Sequence, residues 1–194
     1  VRLVTEFAKE RSTVPVLVKL TPNITDIRHT ARTAKEGQAD GLSLINTINS
    51  LMGVDVETLT PKFSVGGKIS HGGYSGPAIK PIALHHLSQI STDPQMNNIA
   101  LSGIGGISSW SDAVEFMLLG ASSVQLCTAV MHHGFPIISD LIAGLNGWMR
   151  RKKFTKLTDF IGQSSHNVVG WNSLNLHHKT VATIDSTKCI GCGV

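Results

Sequence analysis

Two turns rich in glycine and hydroxyl groups carry the strongest chemical signal in the sequence. They are Gly103-Ile104-Gly105-Gly106 and Cys127-Thr128-Ala129, and each follows an apolar run of strand length. Glycine at such a turn lets backbone N–H groups approach a phosphate with no Cβ in the way. Glycines that serve only as tight turns are the alternative. Two such turns after successive strands favour a phosphate site that includes Gly105, Gly106, Cys127 and Thr128.

Lys19 is the one charged residue within the apolar segment Val16–Leu20. A buried ammonium without a partner is unfavourable, so we expect Lys19 to face an anion or an electron-rich ring. An edge strand with Lys19 in water is the alternative. The Thr21-Pro22-Asn23 loop that follows favours the first interpretation, because it places Lys19 near the end of its strand.

Asn46 and Thr47 end a second apolar segment. A carboxamide offers a donor and an acceptor together, which matches the edge of an imide or pyrimidine ring, although asparagine at a strand end is more often a turn former. The glycine-rich stretch Gly72–Gly76 has the freedom to approach a flat ligand, and a flexible loop is the equal alternative.

The cysteines do not predict a disulfide framework, and the histidines do not predict a metal site. Of three cysteines, Cys127 is predicted to be a packed strand residue whose backbone contacts the phosphate. Cys189 and Cys192 form a C-x-x-C pair, which supplies only two of the ligands of a four-ligand site. The histidines lie largely in adjacent pairs, which rarely chelate one ion. This cysteine usage predicts a reducing, cytoplasmic location.

The periodicity predicts strands that alternate with helices. The strands are predicted at 16–20, 42–45, 99–102 and 123–127, and the intervening helices include one capped by Thr25 and one capped by Ser109 with Asp112 at capping-box distance. The segment Asn49–Gly76 has no helical periodicity and is predicted to be a functional lid or a disordered loop.

The distinctive residues all follow the carboxyl ends of strands, which is where parallel α/β proteins bind ligands. A complete (β/α)8 TIM barrel needs about 250 residues. We therefore predict the last four βα units of such a barrel over 1–161, a connector over 162–183 and a further module beginning at 184–194. A small doubly wound sheet is the alternative, and the chain is expected to be a piece of a longer protein.

Composition excludes several classes of protein. The 194 residues are 41% hydrophobic and 15% charged, which does not fit a disordered chain, and no apolar run approaches the roughly 20 residues of a membrane span. The net charge of +4 comes from scattered cations apart from the run 150–153, which is typical of a helix end. We expect neither nucleic acid nor membrane as a partner.

Taken together, these motifs resemble the flavin domain of dihydropyrimidine dehydrogenases, relatives of the class 1 dihydroorotate dehydrogenases. The resemblance covers nearly the whole chain and runs through the segments 16–23, 46–47, 72–81, 105–107 and 125–129. The tail 184–193 is similar to the start of the ferredoxin-like 4Fe-4S module that follows the barrel. This tail favours the NAD-dependent bacterial catalytic subunits over plain dihydroorotate enzymes.

The resemblance implies an FMN enzyme that reduces uracil or thymine to the 5,6-dihydro form. Lys19 would stabilise charge on the flavin, Asn46 and Thr47 would hold the pyrimidine, and Gly76 would contact the flavin. The phosphate would lie on the residues named above, and Cys189 and Cys192 would be iron ligands.

The resemblance further implies that electrons arrive from NAD(P)H through 4Fe-4S clusters and an FAD-containing partner subunit, and we expect a homo-oligomer. The proton-donating cysteine of the family lies upstream of the Lys19 strand, outside this chain. The 194 residues alone are therefore expected to be inactive.

Three other functions stay open at this point. They are a dihydroorotate dehydrogenase, a non-redox phosphate-binding barrel such as an isomerase or aldolase, and an inactive interaction module.

Overall fold

The structure, a computed structural model, describes residues 1–185 and 187–191. Its strands in chain order are β1 (Leu17–Leu20), β2 (Gly41–Leu44), β3 (Ile48–Ser50), β4 (Val54–Asp55), β5 (Thr60–Pro61), β6 (Gly72–Tyr74), β7 (Ala100–Ile104) and β8 (Ser123–Gln125). Its α-helices are α1 (Arg2–Arg11), α2 (Ile27–Glu36), α3 (Lys80–Ser91), α4 (Trp110–Leu118), α5 (Thr128–His133) and α6 (Pro136–Lys152).

A four-stranded parallel sheet organises the chain. The strands lie side by side in the order β1-β2-β7-β8, and every pair in this sheet is parallel. This confirms the α/β class. The order follows the chain without the reversal that defines a doubly wound sheet. Among the described residues, β1 and β8 each pair on one side only.

One face of this sheet is apolar, because alternate residues of a strand point to the same side and the residues on this side are mostly leucine. Leu20, Leu42, Leu44 and Leu101 are all buried on it, in one core with side chains from α2, α3 and α4. At Gly103 the ring of Phe116 from α4 occupies the space that a Cβ would fill. The helices therefore pack closely against this face.

The opposite face carries a row of small polar residues. Lys19, Ser43, Ser102 and Ser123 stand opposite one another in register across all four strands. Ser43 and Ser102 are buried. This polar row leads directly to the carboxyl ends of the strands.

Local capping follows the sequence with one correction. The side chain of Ser109 accepts from the backbone N–H of Asp112, and the predicted capping box at the start of α4 is confirmed. The predicted cap Thr25 is wrong, because Asp26 caps α2 and accepts from the N–H of Arg28. A carboxylate at this position also complements the positive end of the helix dipole.

The segment between β2 and α3 is ordered as two short antiparallel pairs and not as an unstructured loop. β3 pairs with β6, and β4 pairs with β5. The side chain of Thr47 fills the space beside Gly73, where a Cβ would overlap it. The pairing of β3 with β6 returns the chain to the sheet edge at Gly76.

The region after α6 has short 3-10 turns at Leu157–Asp159, Ser165–Asn167 and Trp171–Ser173. Phe160 is fully buried and packs edge-on against Trp148 of α6, with ring centroids 4.8 Å apart. The domain boundaries at 161 and 183 stay predictions. In the described part of the chain, no helix has both the length and the apolar character of a membrane span.

Candidate functional site

A cavity of about 200 Å³ lies at the carboxyl ends of the four parallel strands. The predicted site residues that line it are Lys19, Thr47, Gly76, Gly105, Gly106, Cys127 and Thr128. Ser75, Ile107, Ser108, Gln125, His132 and His133 also line it. Residues that are up to 114 positions apart (133 − 19) thus meet at one sheet edge.

The turn after β7 needs glycine for both conformation and space. Gly105 has φ +132° and Gly106 has φ +79°, which are backbone angles that other residues rarely adopt. A Cβ at Gly106 would lie 2.8 Å from the Cβ of Lys80 and 3.0 Å from the carbonyl oxygen of Gly76. The turn therefore packs directly on the backbone that starts α3.

Backbone N–H groups at this turn and at the turn after β8 are available to a ligand. Within the residues that the structure describes, the amides of Gly105, Gly106, Thr128 and Ala129 donate to no backbone carbonyl. Groups of this kind are normally paired when they are shielded from water. Their convergence on one cavity suits an anion with several oxygen acceptors.

The turn after β8 meets the segment that precedes α3. Thr128 Oγ1 donates to Ser75 Oγ at 3.2 Å, and a Cβ on Gly76 would lie 3.6 Å from the Cγ2 of Thr128. Cys127 precedes α5 directly. The prediction that Cys127 is a packed strand residue is wrong: β8 ends at Gln125, and the Cys127 thiol is exposed.

Lys19 lines the cavity but is not buried. The expectation of a buried lysine is wrong, because β1 is an edge strand among the described residues and Lys19 is exposed. In the described part of the chain its ammonium forms no salt bridge, and its neighbour in register is the uncharged Ser43. Lys19 therefore brings an uncompensated positive charge to one wall of the cavity.

Gln125 is a cavity residue that sequence reasoning missed. Its Nε2 donates to Ser43 Oγ and to Ser102 Oγ, each at 2.8 Å, and Ser123 Oγ donates to Ser102 Oγ at 2.9 Å. These bonds tie β2, β7 and β8 together below the cavity. The signal was present in the strand alternation, which puts Gln125 on the same face as Ser123.

Asn46 and Thr47, in the segment that follows β2, differ in their relation to the cavity. Thr47 lines the cavity, whereas Asn46 is exposed and is not part of its lining. Asn23 holds this segment, since its Nδ2 donates to the carbonyl oxygen of Thr47 at 3.0 Å and its Oδ1 accepts from the N–H of Asn49 at 2.9 Å. These two hydrogen bonds from Asn23 hold the backbone between Thr47 and Asn49.

The predicted iron ligands are only partly described. Cys189 is exposed, and Cys192 lies outside the described residues. Within the described ranges no three His, Cys, Asp or Glu side chains are placed to hold a metal ion. The adjacent histidines His132 and His133, in the last turn of α5, both line the cavity.

Comparison with known proteins gives the same family as the sequence motifs. Residues 1–149 match the dihydroorotate dehydrogenase family. The chain is 40% identical over 185 residues to the NAD-dependent dihydropyrimidine dehydrogenase subunit PreA of Escherichia coli, covering 95% of this chain and 45% of that protein.

Two further relatives extend the comparison. The chloroplastic dihydropyrimidine dehydrogenase (NADP(+)) of Arabidopsis thaliana is 42% identical over 157 residues, which is 79% of this chain and 37% of the relative. The catalytic subunit of dihydroorotate dehydrogenase B (NAD(+)) of Pyrococcus horikoshii is 40% identical over 159 residues, which is 82% of this chain and 50% of the relative.

The chain spans about half the length of the curated relatives it matches, or less. The match nevertheless includes every strand of the parallel sheet and the whole cavity edge, since these lie within residues 1–149. The resemblance inferred from the motifs is confirmed. The chain belongs to the dihydroorotate dehydrogenase family of oxidoreductases.

Proposed function

We propose that this chain contains the carboxyl-terminal half of the FMN-binding barrel of an enzyme that reduces uracil or thymine to 5,6-dihydropyrimidines, with NAD(P)H as the source of electrons. The observation that carries the proposal is one cavity lined by Lys19, which forms no salt bridge among the described residues, and by two turns whose amides donate to no backbone carbonyl in that part of the chain. The relationship to dihydropyrimidine dehydrogenase supports the choice of substrate, because that match extends to 95% of the chain.

The fold that we propose for the intact protein is a TIM barrel, of which the four parallel strands form one half. The strand order β1-β2-β7-β8 follows the chain, as in a barrel, and the sheet stays open at β1 and β8. The polar row on the face away from the helices would then face the barrel interior.

The cavity fits FMN in its chemistry. We assign the phosphate to the turns that contain Gly105, Gly106, Cys127 and Thr128, because several backbone amides without a carbonyl partner among the described residues lie there. A Cβ on Gly106 would contact Lys80 and Gly76, so the turn needs glycine at this position. A cavity of about 200 Å³ is smaller than typical cofactor sites, so it suits the phosphate end of the molecule, with the ring nearer the open side.

We place the flavin ring beside Lys19 and Gly76. An ammonium here would stabilise negative charge that develops on the ring, and glycine would allow close contact. Bound FMN would supply hydride-transfer chemistry. The pyrimidine would lie against Thr47, and Asn46 would need a change of side-chain direction to join it, since it lies outside the cavity lining.

Reduction of the pyrimidine adds a hydride and a proton across the C5–C6 double bond. We assign the proton donor to a cysteine outside this chain, because Cys127 sits beside the proposed phosphate turns and Cys189 does not line the cavity. The chain's own contribution would be binding, orientation and charge, and not proton transfer.

We further propose that the protein works with an FAD-containing, NAD-oxidising subunit and that Cys189 and Cys192 belong to a 4Fe-4S motif. The name of the Escherichia coli relative, a subunit of an NAD-dependent enzyme, supports a partner. We retain the expectations of a homo-oligomer and of a cytoplasmic location.

A second candidate function is dihydroorotate oxidation. The Pyrococcus horikoshii relative is as similar in identity as the dihydropyrimidine dehydrogenase subunit, at 40%, over a shorter segment. Dihydroorotate carries a carboxylate that dihydrouracil lacks. A further cation beside the pyrimidine, in addition to Lys19, would therefore favour dihydroorotate.

The test is purification of the intact protein followed by flavin analysis and substrate oxidation. We expect bound FMN, and we expect dihydrouracil, but not dihydroorotate, to reduce the flavin and bleach its visible absorbance. Reduction by dihydroorotate alone would replace the first candidate by the second. A protein with no flavin affinity would contradict both and favour a non-redox phosphate-binding enzyme.

A further inference from the structure

Asp112 connects the phosphate turn to two helices. Its Oδ2 accepts from the backbone N–H groups of Ser108 at 3.0 Å and Ser109 at 2.8 Å, and also from both serine hydroxyls. Its Oδ1 lies 2.6 Å from the Nζ of Lys80, the first residue of α3. Asp112 is 8% exposed, so these bonds are largely shielded from water.

Lys80 closes this network back onto the turn. Its backbone and Cβ lie against Gly106, where an added Cβ would be 2.9 Å from the Lys80 nitrogen. Its ammonium also pairs with Glu115 at 3.0 Å. Gly106, Ser108, Asp112 and Lys80 therefore form a closed ring of contacts beside the cavity, and Gly106 and Ser108 are the members that line the cavity.

One cation, Lys80, is shared by two carboxylates beside the phosphate turn. The Lys80 ammonium is held by two carboxylates and does not line the cavity, so it is not available as a phosphate ligand. Asp112, in turn, would repel a nearby phosphate if its charge were felt in the cavity. If Asp112 acts by its charge on the phosphate, removal of the charge should strengthen phosphate binding. If Asp112 acts by positioning the turn, the same change should weaken binding.

We propose that Asp112 is a positioning residue for the ligand phosphate: through Ser108, Ser109 and Lys80 it holds the turn Gly105–Ser109 in the conformation that leaves the amides of Gly105 and Gly106 beside the cavity, without a carbonyl partner among the described residues. This inference rests on the proposed FMN function. It deepens that function by adding a pair of residues, Asp112 and Lys80, that contact neither the ligand nor the reacting atoms.

The decisive variant is Asp112→Asn in the intact protein. An amide is an uncharged and weaker acceptor that forms no ion pair with Lys80, so the support of the turn is weakened. We expect the dissociation constant for FMN, from quenching of flavin fluorescence, to rise about tenfold. Riboflavin, which has no phosphate, is expected to change less than about twofold. Unchanged or tighter FMN binding would overturn the proposal, and so would an equal loss for FMN and riboflavin.

Asp159 provides a matched control. Its Oδ2 accepts from the N–H groups of Thr155 and Lys156 and from the Thr155 hydroxyl, the same local pattern, at a turn that does not line the cavity. Asp159→Asn is therefore expected to leave FMN affinity unchanged. A loss equal to that of Asp112→Asn would show general destabilisation and would overturn the positioning role.

Lys80 gives a second variant that leaves the capping box of α4 intact. Lys80→Met removes the cross-helix ion pair and is expected to weaken FMN binding several-fold, whereas Lys80→Arg keeps the charge and is expected to restore most of the affinity. Equal affinities in the Met and Arg variants would overturn the role of the ion pair. If Asp112→Asn does not fold, this comparison decides the proposal.

A readout without flavin separates this inference from the proposed function. Hydrogen exchange of the segment 104–110 in ligand-free protein is expected to accelerate in Asp112→Asn and not in Asp159→Asn. Unchanged exchange would overturn the positioning role. Absence of FMN binding by the unsubstituted protein would overturn the proposed function, and the exchange result would still decide whether Asp112 holds the turn.

Discussion

The side-chain amide of Gln125 on β8 reaches across β7 to the hydroxyl of Ser43 on β2, at 2.8 Å. The same nitrogen donates to Ser102 on β7. Three strands of the parallel sheet are thus joined by one side chain on the face opposite the helices. This bond lies directly below the cavity that Gln125 also lines.

Replacement of Gln125 by leucine is expected to lower the free energy of unfolding by about 1–3 kcal/mol, because the buried Ser43 hydroxyl would lose its hydrogen-bond partner and Ser102 would keep only the bond from Ser123. Ser43 is 4% exposed and cannot turn to bulk water. Urea unfolding of the two proteins measures the effect. The double variant Gln125→Leu with Ser43→Ala is expected to recover part of the loss, and a simple sum of the two single effects would contradict the proposed coupling.

Gly106→Ala is expected to destabilise the protein by about 1–3 kcal/mol and to weaken FMN binding. The residue has φ +79°, and its new Cβ would press on Lys80 at 2.8 Å, which forces the turn to move. Thermal unfolding and flavin titration measure the two effects. Gly170→Ala is the control, because Gly170 has φ −66° and no atom within 4 Å of the new Cβ. A neutral Gly106→Ala variant would show that the turn adapts freely.

Asp112 is expected to add an acid-sensitive component to stability. Burial opposes its ionisation, but hydrogen bonds from Lys80, Ser108 and Ser109 outweigh burial and lower the pKa of Asp112 to about 2, from an ordinary 3.8. A carboxyl whose folded pKa is lowered stabilises the protein fully above about pH 4, and this contribution is lost as the pH falls through about 2.

The measurement is the free energy of unfolding of the unsubstituted protein and of Asp112→Asn between pH 2 and pH 6. The difference between the two is expected to be constant above about pH 4 and to shrink toward pH 2. A difference that does not depend on pH would mean that Asp112 has the same pKa folded and unfolded. Asp159→Asn gives the comparison with a cap at a turn away from the cavity, since backbone hydrogen bonds from Lys156 and Thr155 also lower the pKa of Asp159.

The sequence predicted the elements well because their signals are local. The Ser109 capping box and the alternation of apolar segments with helices depend on near neighbours, and the structure confirms them. The turn at Gly105 was also readable, since glycine is the residue type that most readily adopts the positive φ found there. The barrel and the roles of these residues stay predictions.

The errors arose where long-range contacts decide. The exposure of Lys19 depends on whether β1 has a second neighbour, which an apolar run does not reveal. The pairing of β3 with β6 joins residues about 24 positions apart, and its glycines hid it as an apparent loop. Cys127 was assigned to a strand because the apolar run continues past Gln125, where the structure turns to start α5.

Lys19→Met is expected to weaken FMN binding about tenfold with little change in stability. The ammonium is exposed and forms no salt bridge among the described residues, so the folded chain does not depend on it, whereas an anionic ligand would. Lys152→Met, at the exposed end of α6, removes the same charge away from the cavity and serves as the control. Equal effects of the two substitutions would indicate a general charge effect and would contradict a specific role for Lys19.

The thiol of Cys127 is expected to report directly on ligand occupancy. It is exposed and lines the cavity beside Thr128, so iodoacetamide is expected to alkylate it in ligand-free protein. Bound FMN would cover it and slow the reaction at least about fivefold, since alkylation needs access to the sulfur. In protein freed of iron, Cys189, which is exposed and outside the cavity lining, is the internal control and is expected to react at the same rate with and without FMN. Mass spectrometry of the two cysteines over a time course measures both rates in one sample. FMN that binds without protecting Cys127 would place the phosphate elsewhere and would remove Cys127 from the proposed site.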